Sequence, residues 1–372
     1  MPRLLLRPGL RRLWRDQSTL QLGLSPTHGA VLTGLRAGDD LILAALDGRH
    51  DLRQLHAFAR SRSVSGSRVD ELVRLLGEAG LLVRCDAGRT RDAQPATAAR
   101  LAPDATSWAL AYGGTTDPAA LIARRARAHV VVDGLGRVGA AVAATLAGAG
   151  VGRVEGVDPA PVGAPDVLAA GHGSEDVGTS RVRSLGRVLE RVLGRAREPA
   201  PLEQSNAQPQ GSEHGRFPSE PDLVVLVRDD AVELPAADDL VHRGVDHLAV
   251  VVGAERVVVG PLVVPGRGPC LRCLHLHRCD RDPAWPQLAA QLAVGPPDPG
   301  PTVRGETGSA TAAAGLVTLQ ALTHLDGVMR PVSAGRTLDL VLPDGLVERR
   351  RWGAHPRCGC TRLPVERAIH AV

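Results

Sequence analysis

Ala128-His129-Val130-Val131-Val132-Asp133-Gly134-Leu135-Gly136-Arg137-Val138-Gly139 is the stretch that decides the fold. Its first half is a short apolar run, the pattern of a strand buried on both faces. Its second half is a Gly-x-Gly-x-x-Gly turn, after which Ala140 to Ala149 reads as a helix. Gly134 permits the tight turn, Gly136 lets backbone N–H groups approach a phosphate, and Gly139 lets helix and strand pack closely. A second strand, Arg153 to Val157, ends at Asp158. That is about twenty residues beyond the glycines, where an acid accepts ribose hydroxyls. Strand, turn, helix, strand and acid together predict a doubly wound α/β nucleotide-binding fold. Gly134, Gly136, Gly139 and Asp158 are its cofactor-binding residues. The competing reading is a Rossmann-like domain that keeps the turn and binds nothing.

Outward from this core, the 372 residues suffice for two or three domains. Residues 1–85 read as one small α+β module: a hairpin of LLLRPGL (4–10) and TLQLGLS (19–25), three helices and a closing strand at Leu81-Leu82-Val83. The helices are Gly29 to Leu46, Asp51 to Arg60 and Ser67 to Ala79, with the turn Asp47-Gly48 after the first. That order is winged-helix-like. Residues 86–124 are a polar linker followed by a helix from Pro118, and 125–372 form the nucleotide-fold body. Within the body, 196–221 is rich in Pro, Gly, Ser and Gln and reads as a mobile insertion.

Composition excludes several classes. All 44 basic residues are Arg, so a P-loop lysine, a Schiff-base lysine and a lysine base are ruled out. Aromatics are 2% of the chain, too few for base-stacking platforms. The helix Ser67 to Ala79 mixes Arg68 and Arg74 with Asp70, Glu71 and Glu78, a poor phosphate-facing surface. No nucleic-acid partner is therefore expected. No apolar run reaches the ~18–20 residues a membrane span needs, and no signal peptide is apparent, so a cytoplasmic, soluble chain is expected.

The six cysteines are at 85, 270, 273, 279, 358 and 360. Cys270-Leu-Arg-Cys273 is a zinc-type knuckle and Cys358-Gly-Cys360 is a second close pair. Two such pairs predict a structural Cys₄ zinc site of Cys270, Cys273, Cys358 and Cys360. Cys279, His275 or His277 is near enough to replace a ligand, and His355 lies beside the second pair. Cys85 and Cys279 otherwise read as ordinary thiols.

The order of these features resembles the ThiF/MoeB superfamily, the bacterial relatives of ubiquitin-activating enzymes. The resemblance runs over about 125–362. It rests on the glycine turn and Asp158, on Asp176-Val-Gly-Thr-Ser-Arg181, Pro221-Asp222 through Asp229-Asp230, Gly268-Pro269-Cys270 through Leu274, and the helix from Thr307. The front module and GPCLRCLHLHRCDRDPAWP are similar to the thiazole/oxazole-modified microcin (TOMM) cyclodehydratase partner proteins. The resemblance implies that residues 1–85 bind a precursor leader peptide as an added strand. It also implies a separate YcaO-type enzyme as partner, and a homodimer. Adenylating members use ATP, Mg²⁺, a lysine, a catalytic Asp and an Asn-Leu-x-Arg-Gln loop. Here Asp229 takes the place of the catalytic Asp and Arg181 that of the lysine. The loop reads Asp166-Val-Leu-Ala-Ala-Gly-His172, without its arginine. The expected function is therefore a leader-peptide-binding partner with a degenerate adenylation site. The alternative is an active adenylyltransferase acting on the C-terminal carboxylate of a sulfur carrier or peptide. An NAD-dependent oxidoreductase fits the glycines but not the cysteine pairs.

Overall fold

A computed structural model describes residues 2–24, 29–85, 95–113, 116–194, 220–294 and 305–362. The expected insertion at 196–221 lies almost wholly outside the described residues. The chain divides into two compact units, Met1–Arg124 and Arg125–Val372.

The first unit holds β1 (Arg3–Leu6), β2 (Arg12–Trp14), β3 (Leu20–Leu22), β4 (Ala30–Leu32), α1 (Asp39–Ala45), β5 (Asp47–Asp51), α2 (Leu52–Ser61), α3 (Gly66–Glu78), β6 (Leu82–Cys85) and α4 (Pro95–Tyr112). The expected hairpin is not formed: β1 lies between β5 and β6, and β3 lies between β2 and β4, in separate antiparallel sheets. Alternation marks a strand but not its partner. The partner β5, Asp-Gly-Arg-His-Asp, carries no apolar signal, so the expected turn at Asp47-Gly48 is strand instead. The expected helix from Gly29 to Leu46 is β4 followed by the short α1. Gly34 and Gly38 have φ of +70° and +91°, which a continuous helix cannot contain. The first part of the expected linker is in part helical, as α4. Its alanines are strong helix formers, and Leu101 and Ala109 give it a buried side. The core of the unit is aliphatic, with Leu20, Leu22, Ile42, Leu43, Leu55, Val69 and Leu76 buried. Asp51 caps α2 in a reciprocal capping box with Gln54, and Ser65 caps α3.

Helix α5 (Pro118–Arg127) spans the boundary, and the second unit continues with β7 (His129–Asp133), α6 (Arg137–Gly148), β8 (Arg153–Val157), α7 (Arg181–Leu193), β9 (Leu223–Asp229), α8 (Leu234–His242) and β10 (His247–Val252). Then come β11 (Arg256–Val263), α9 (Leu271–Arg281), α10 (Trp285–Val294), α11 (Thr307–Asp326), β12 (Arg336–Val341) and β13 (Leu346–Arg351). One seven-stranded sheet runs β13-β12-β11-β10-β9-β7-β8. Strands β8, β7, β9 and β10 are parallel, while β11, β12 and β13 continue antiparallel. This mixed α/β body with its parallel half is the Rossmann-like architecture expected. Every residue of β7 is buried, as a central parallel strand requires. Helix α6 packs against α7 and α11, which explains why it is apolar nearly all round. Arg125 and Asp326, both fully buried, join the end of α5 to the end of α11 through two hydrogen bonds. Among the described residues no helix is long and apolar enough to cross a membrane.

Candidate functional site

The chain passes from β7 to β8 on one side and returns to β9 on the other, so a crevice opens at the carboxyl ends of these strands. A cavity of about 510 Å³ fills it. The glycine turn forms its floor. Gly134 has a φ of +102°, and a Cβ there would meet the Val227 carbonyl oxygen at 2.1 Å. A Cβ at Gly139 would meet the Gly134 carbonyl oxygen at 1.8 Å. At Gly136 a Cβ would find only ordinary contacts, the nearest to Asp166 and Arg181, so its absence leaves room above the turn. Gly136 also caps α6 without a side-chain acceptor, so its free amide end faces this space. Of the residues singled out from sequence, Gly134, Gly136, Asp158, Arg181 and Asp229 line the cavity, while Gly139 packs beneath it.

The turn is held from two sides. The Leu135 N–H donates to Asp158 Oδ2 at 2.7 Å. His172, fully buried, donates from Nε2 to the Leu135 carbonyl at 2.7 Å, and its Nδ1 accepts from the Ser184 hydroxyl at 2.6 Å. This histidine ends the stretch that replaces the arginine loop, and its role here is to support the backbone.

Asp158 is engaged on both oxygens. Oδ1 accepts the Ala160 N–H at 2.9 Å, and Oδ2 accepts from Arg181 Nη1 at 2.9 Å as well as from Leu135. Arg181 also donates from Nη2 and Nε to Asp166 Oδ2, at 2.7 and 3.1 Å. Burial pulls the pKa of Arg181 down, but the bonds and charge of Asp166 and Asp158 outweigh it and the net shift is upward. The guanidinium is thus clamped between two carboxylates. Asp166 opens the stretch that stands in place of the arginine loop.

Two further lining residues, Arg228 and Arg137, were not singled out from sequence. Arg228 forms an ion pair with Asp133 at 3.1 Å and another with Glu233 at 2.9 Å. Burial lowers its pKa, and the Asp133 and Glu233 carboxylates more than reverse that. Arg137 donates to the Gly305 and Val167 carbonyls and to the Thr307 hydroxyl. The one signal available for Arg228 was its position, a cation just before Asp229 at the end of a buried strand. In total the cavity faces Asp133, Asp158, Asp166 and Asp229 against Arg137, Arg181 and Arg228. All three guanidinium groups already serve partners within the chain. Asp229 is exposed at the end of β9.

The four cysteines of the two pairs come together. Cys270, Cys273, Cys358 and Cys360 are all buried, with their sulfurs within 4.8 Å of one another. Cys270 and Cys358 sulfurs are 3.6 Å apart, Cys273 and Cys360 3.4 Å, and Cys270 and Cys273 3.8 Å. Tetrahedral zinc with bonds of ~2.3 Å has sulfur–sulfur edges of about 3.8 Å, so this donor set fits such an ion. The thiol of Cys270 donates to Cys273, which draws the Cys273 pKa down and pushes that of Cys270 up. Cys279 is half-buried and outside this group. His277 and His355 gather instead with Asp280, and His355 donates to Asp280 at 2.7 Å.

The ThiF family model matches residues 119–361. Three solved structures of MccB share the fold. The E. coli protein with AMPCPP and MccA has a TM-score of 0.66 at 15% identity, covering 97% of this chain and 99% of that one. E. coli MccB with ATP gives 0.65 at 15%, over 96% and 99%. The microcin C7 biosynthetic enzyme MccB with N-formylated MccA gives 0.65 at 14%, over 96% and 99%. At this identity the likeness is one of fold. No curated protein sequence matches the chain.

Proposed function

The chain belongs to the ThiF family, and from that premise we propose that it is a peptide-binding partner in ribosomal-peptide modification rather than an adenylating enzyme. The observation that carries this reading is the Asp158–Arg181–Asp166 clamp. Adenylation makes a carboxylate attack the α-phosphorus of ATP and expel pyrophosphate. The departing anion needs fixed positive charge aimed at it. In this chain Arg181 and Arg228 are paired with its own carboxylates, Arg137 spends its N–H groups on two carbonyls and a hydroxyl, and no lysine exists to replace them. Arg and Lys are not equivalent at so tight a position.

In this reading residues 1–85 bind a precursor leader peptide by strand addition, and the body presents it to a YcaO-type cyclodehydratase. Strand addition needs an open sheet edge. The sheet β2-β3-β4 has edge strands at β2 and β4, with Trp14 and Val31 exposed on them. The MccB structures solved with MccA support a peptide as the ligand class. Zn²⁺ in the Cys₄ cluster would pin the C-terminal segment to α9. A cytosolic homodimer completes the reading.

A second reading is favoured by the exposed Asp229, which faces a cavity of about 510 Å³ beside the glycine turn. There it would hold Mg²⁺ on ATP and make the chain an adenylyltransferase. MccB has been solved with ATP. The test is AMP and pyrophosphate release by the zinc-loaded chain with ATP, Mg²⁺ and candidate peptides. No turnover, with leader-peptide binding and stimulation of a YcaO-type enzyme, is the expected result. AMP formation that disappears in Asp229→Ala would establish the second reading.

A further inference from the structure

A second cavity, of about 680 Å³, lies beside the first. Asp229 lines one and its neighbour Asp230 the other, and Val252 and Gly253 are divided in the same way. The walls of the second cavity are largely apolar, from Val258, Leu271, Leu274, Pro286 and Ala289. Arg278 of α9 also lines it. Its guanidinium lies over the ring of Trp285, 4.8 Å from the centroid, and 5.9 Å from that of Trp352. Among the described residues the Arg278 guanidinium makes no hydrogen bond and no ion pair.

Of the other charged groups around it, Asp230 lines the same cavity and has a partner other than Arg278, and the rest are committed or repel it. Glu233 is held by Arg228, and Arg256 leans on Asp339 at 3.9 Å. His275 accepts from the Trp285 indole N–H, and burial with Arg272 and Arg278 nearby lowers its pKa. Arg350 and Arg281 are like charges close by, over the Trp352 ring at 6.0 and 5.4 Å. Burial first, and then Arg350 and Arg281 against the pull of Asp339, lower the Arg278 pKa. Aromatic rings hold this half-buried guanidinium by its face, but no carboxylate stands within ion-pair distance of it among the described residues, which leaves its N–H edge able to receive an anion.

We propose that this cavity seats a short peptide segment whose acidic side chain pairs with Arg278 while its apolar neighbours cover the aliphatic walls. A planar guanidinium matches a carboxylate fork. The volume is within the ~300–1,000 Å³ typical of ligand sites. A phosphate would bring more charge than one guanidinium and apolar walls can balance. The proposal rests on the peptide-binding reading above and names a sequence requirement of the peptide: Asp or Glu flanked by apolar residues.

The test uses the full-length, zinc-loaded chain and a library of random octapeptides in two forms, with free and with amidated C-termini. Retained peptides are sequenced by mass spectrometry for the wild type, Arg278→Gln and Trp285→Ala. Zinc content and thermal melting of each variant report its folding. The expected result is several-fold enrichment of Asp and Glu beside apolar residues in both libraries, lost in Arg278→Gln and weakened in Trp285→Ala. Enrichment confined to free C-termini would mean that Arg278 reads a chain end, and would overturn the proposal. So would retention without acidic bias, or a bias unchanged in Arg278→Gln. Peptides still retained by folded Arg278→Gln leave the broader peptide-binding reading intact. Retention of none by any protein removes both.

Discussion

In the two neighbouring cavities of the body, Arg181 and Arg228 on one side and Arg278 on the other are held in opposite ways. In the first, Arg181 and Arg228 each bridge two carboxylates of the chain. In the second, Arg278 has aromatic rings and other arginines around it, but among the described residues no ion-pair partner. A glycine turn identifies a place where an anion is able to sit. Whether charge is available to hold one depends on what else the side chains touch. By that criterion the cavity with the recognisable motif is the more self-sufficient, and the one without a motif awaits an anion.

The largest effect expected from breaking this contrast comes from the cysteine cluster, because α9 carries both Cys273 and Arg278. Cys273→Ala should abolish stoichiometric zinc and lower the melting temperature by about 10 °C. Hydrogen exchange should rise in α9 and around Cys358 while β7 and α6 stay protected. Equal loss throughout the body would mean that the cluster does not specifically support the second cavity. Next in size is Arg181→Ala, which leaves Asp158 and Asp166 with backbone N–H partners but without their counter-charge and should destabilise the fold by about 2 kcal/mol in urea titration. A neutral outcome would contradict the clamp. Asp166→Asn should release part of Arg181 and tighten Mg-ATP binding about tenfold, ~1.4 kcal/mol by calorimetry. Unchanged affinity would show that Asp166 does not withhold that charge. The smallest effect belongs to Arg278→Gln, for which stability should change by less than about 0.5 kcal/mol or increase, since no partner is left unpaired. A loss as large as that of Arg181→Ala would remove the distinction between the cavities.

The sequence was most legible where local pattern and tertiary environment agree. The run 129–133, the glycine turn and the strand 153–157 needed only buried apolar residues and backbone geometry. The cysteine pairs were visible because ligand spacing is itself local. The front unit was less legible. Asp47–Asp51 forms a strand because β1 offers it an edge, and no propensity of Asp-Gly-Arg-His-Asp announces that. Residues 95–112 form a helix whose composition resembles a linker.

From sequence alone come the nucleotide-type fold, the candidate zinc ligands, the absence of lysine and the loss of the arginine loop. Each is a matter of residue identity at short spacing. Only the tertiary structure decides that Asp166 faces Arg181 across 15 positions, that Asp133 meets Arg228 across 95, and that Arg278 reaches a cavity without meeting an ion-pair partner among the described residues. Charge pairing depends on distance in space, and a chain that folds back on itself makes that distance independent of separation along the sequence.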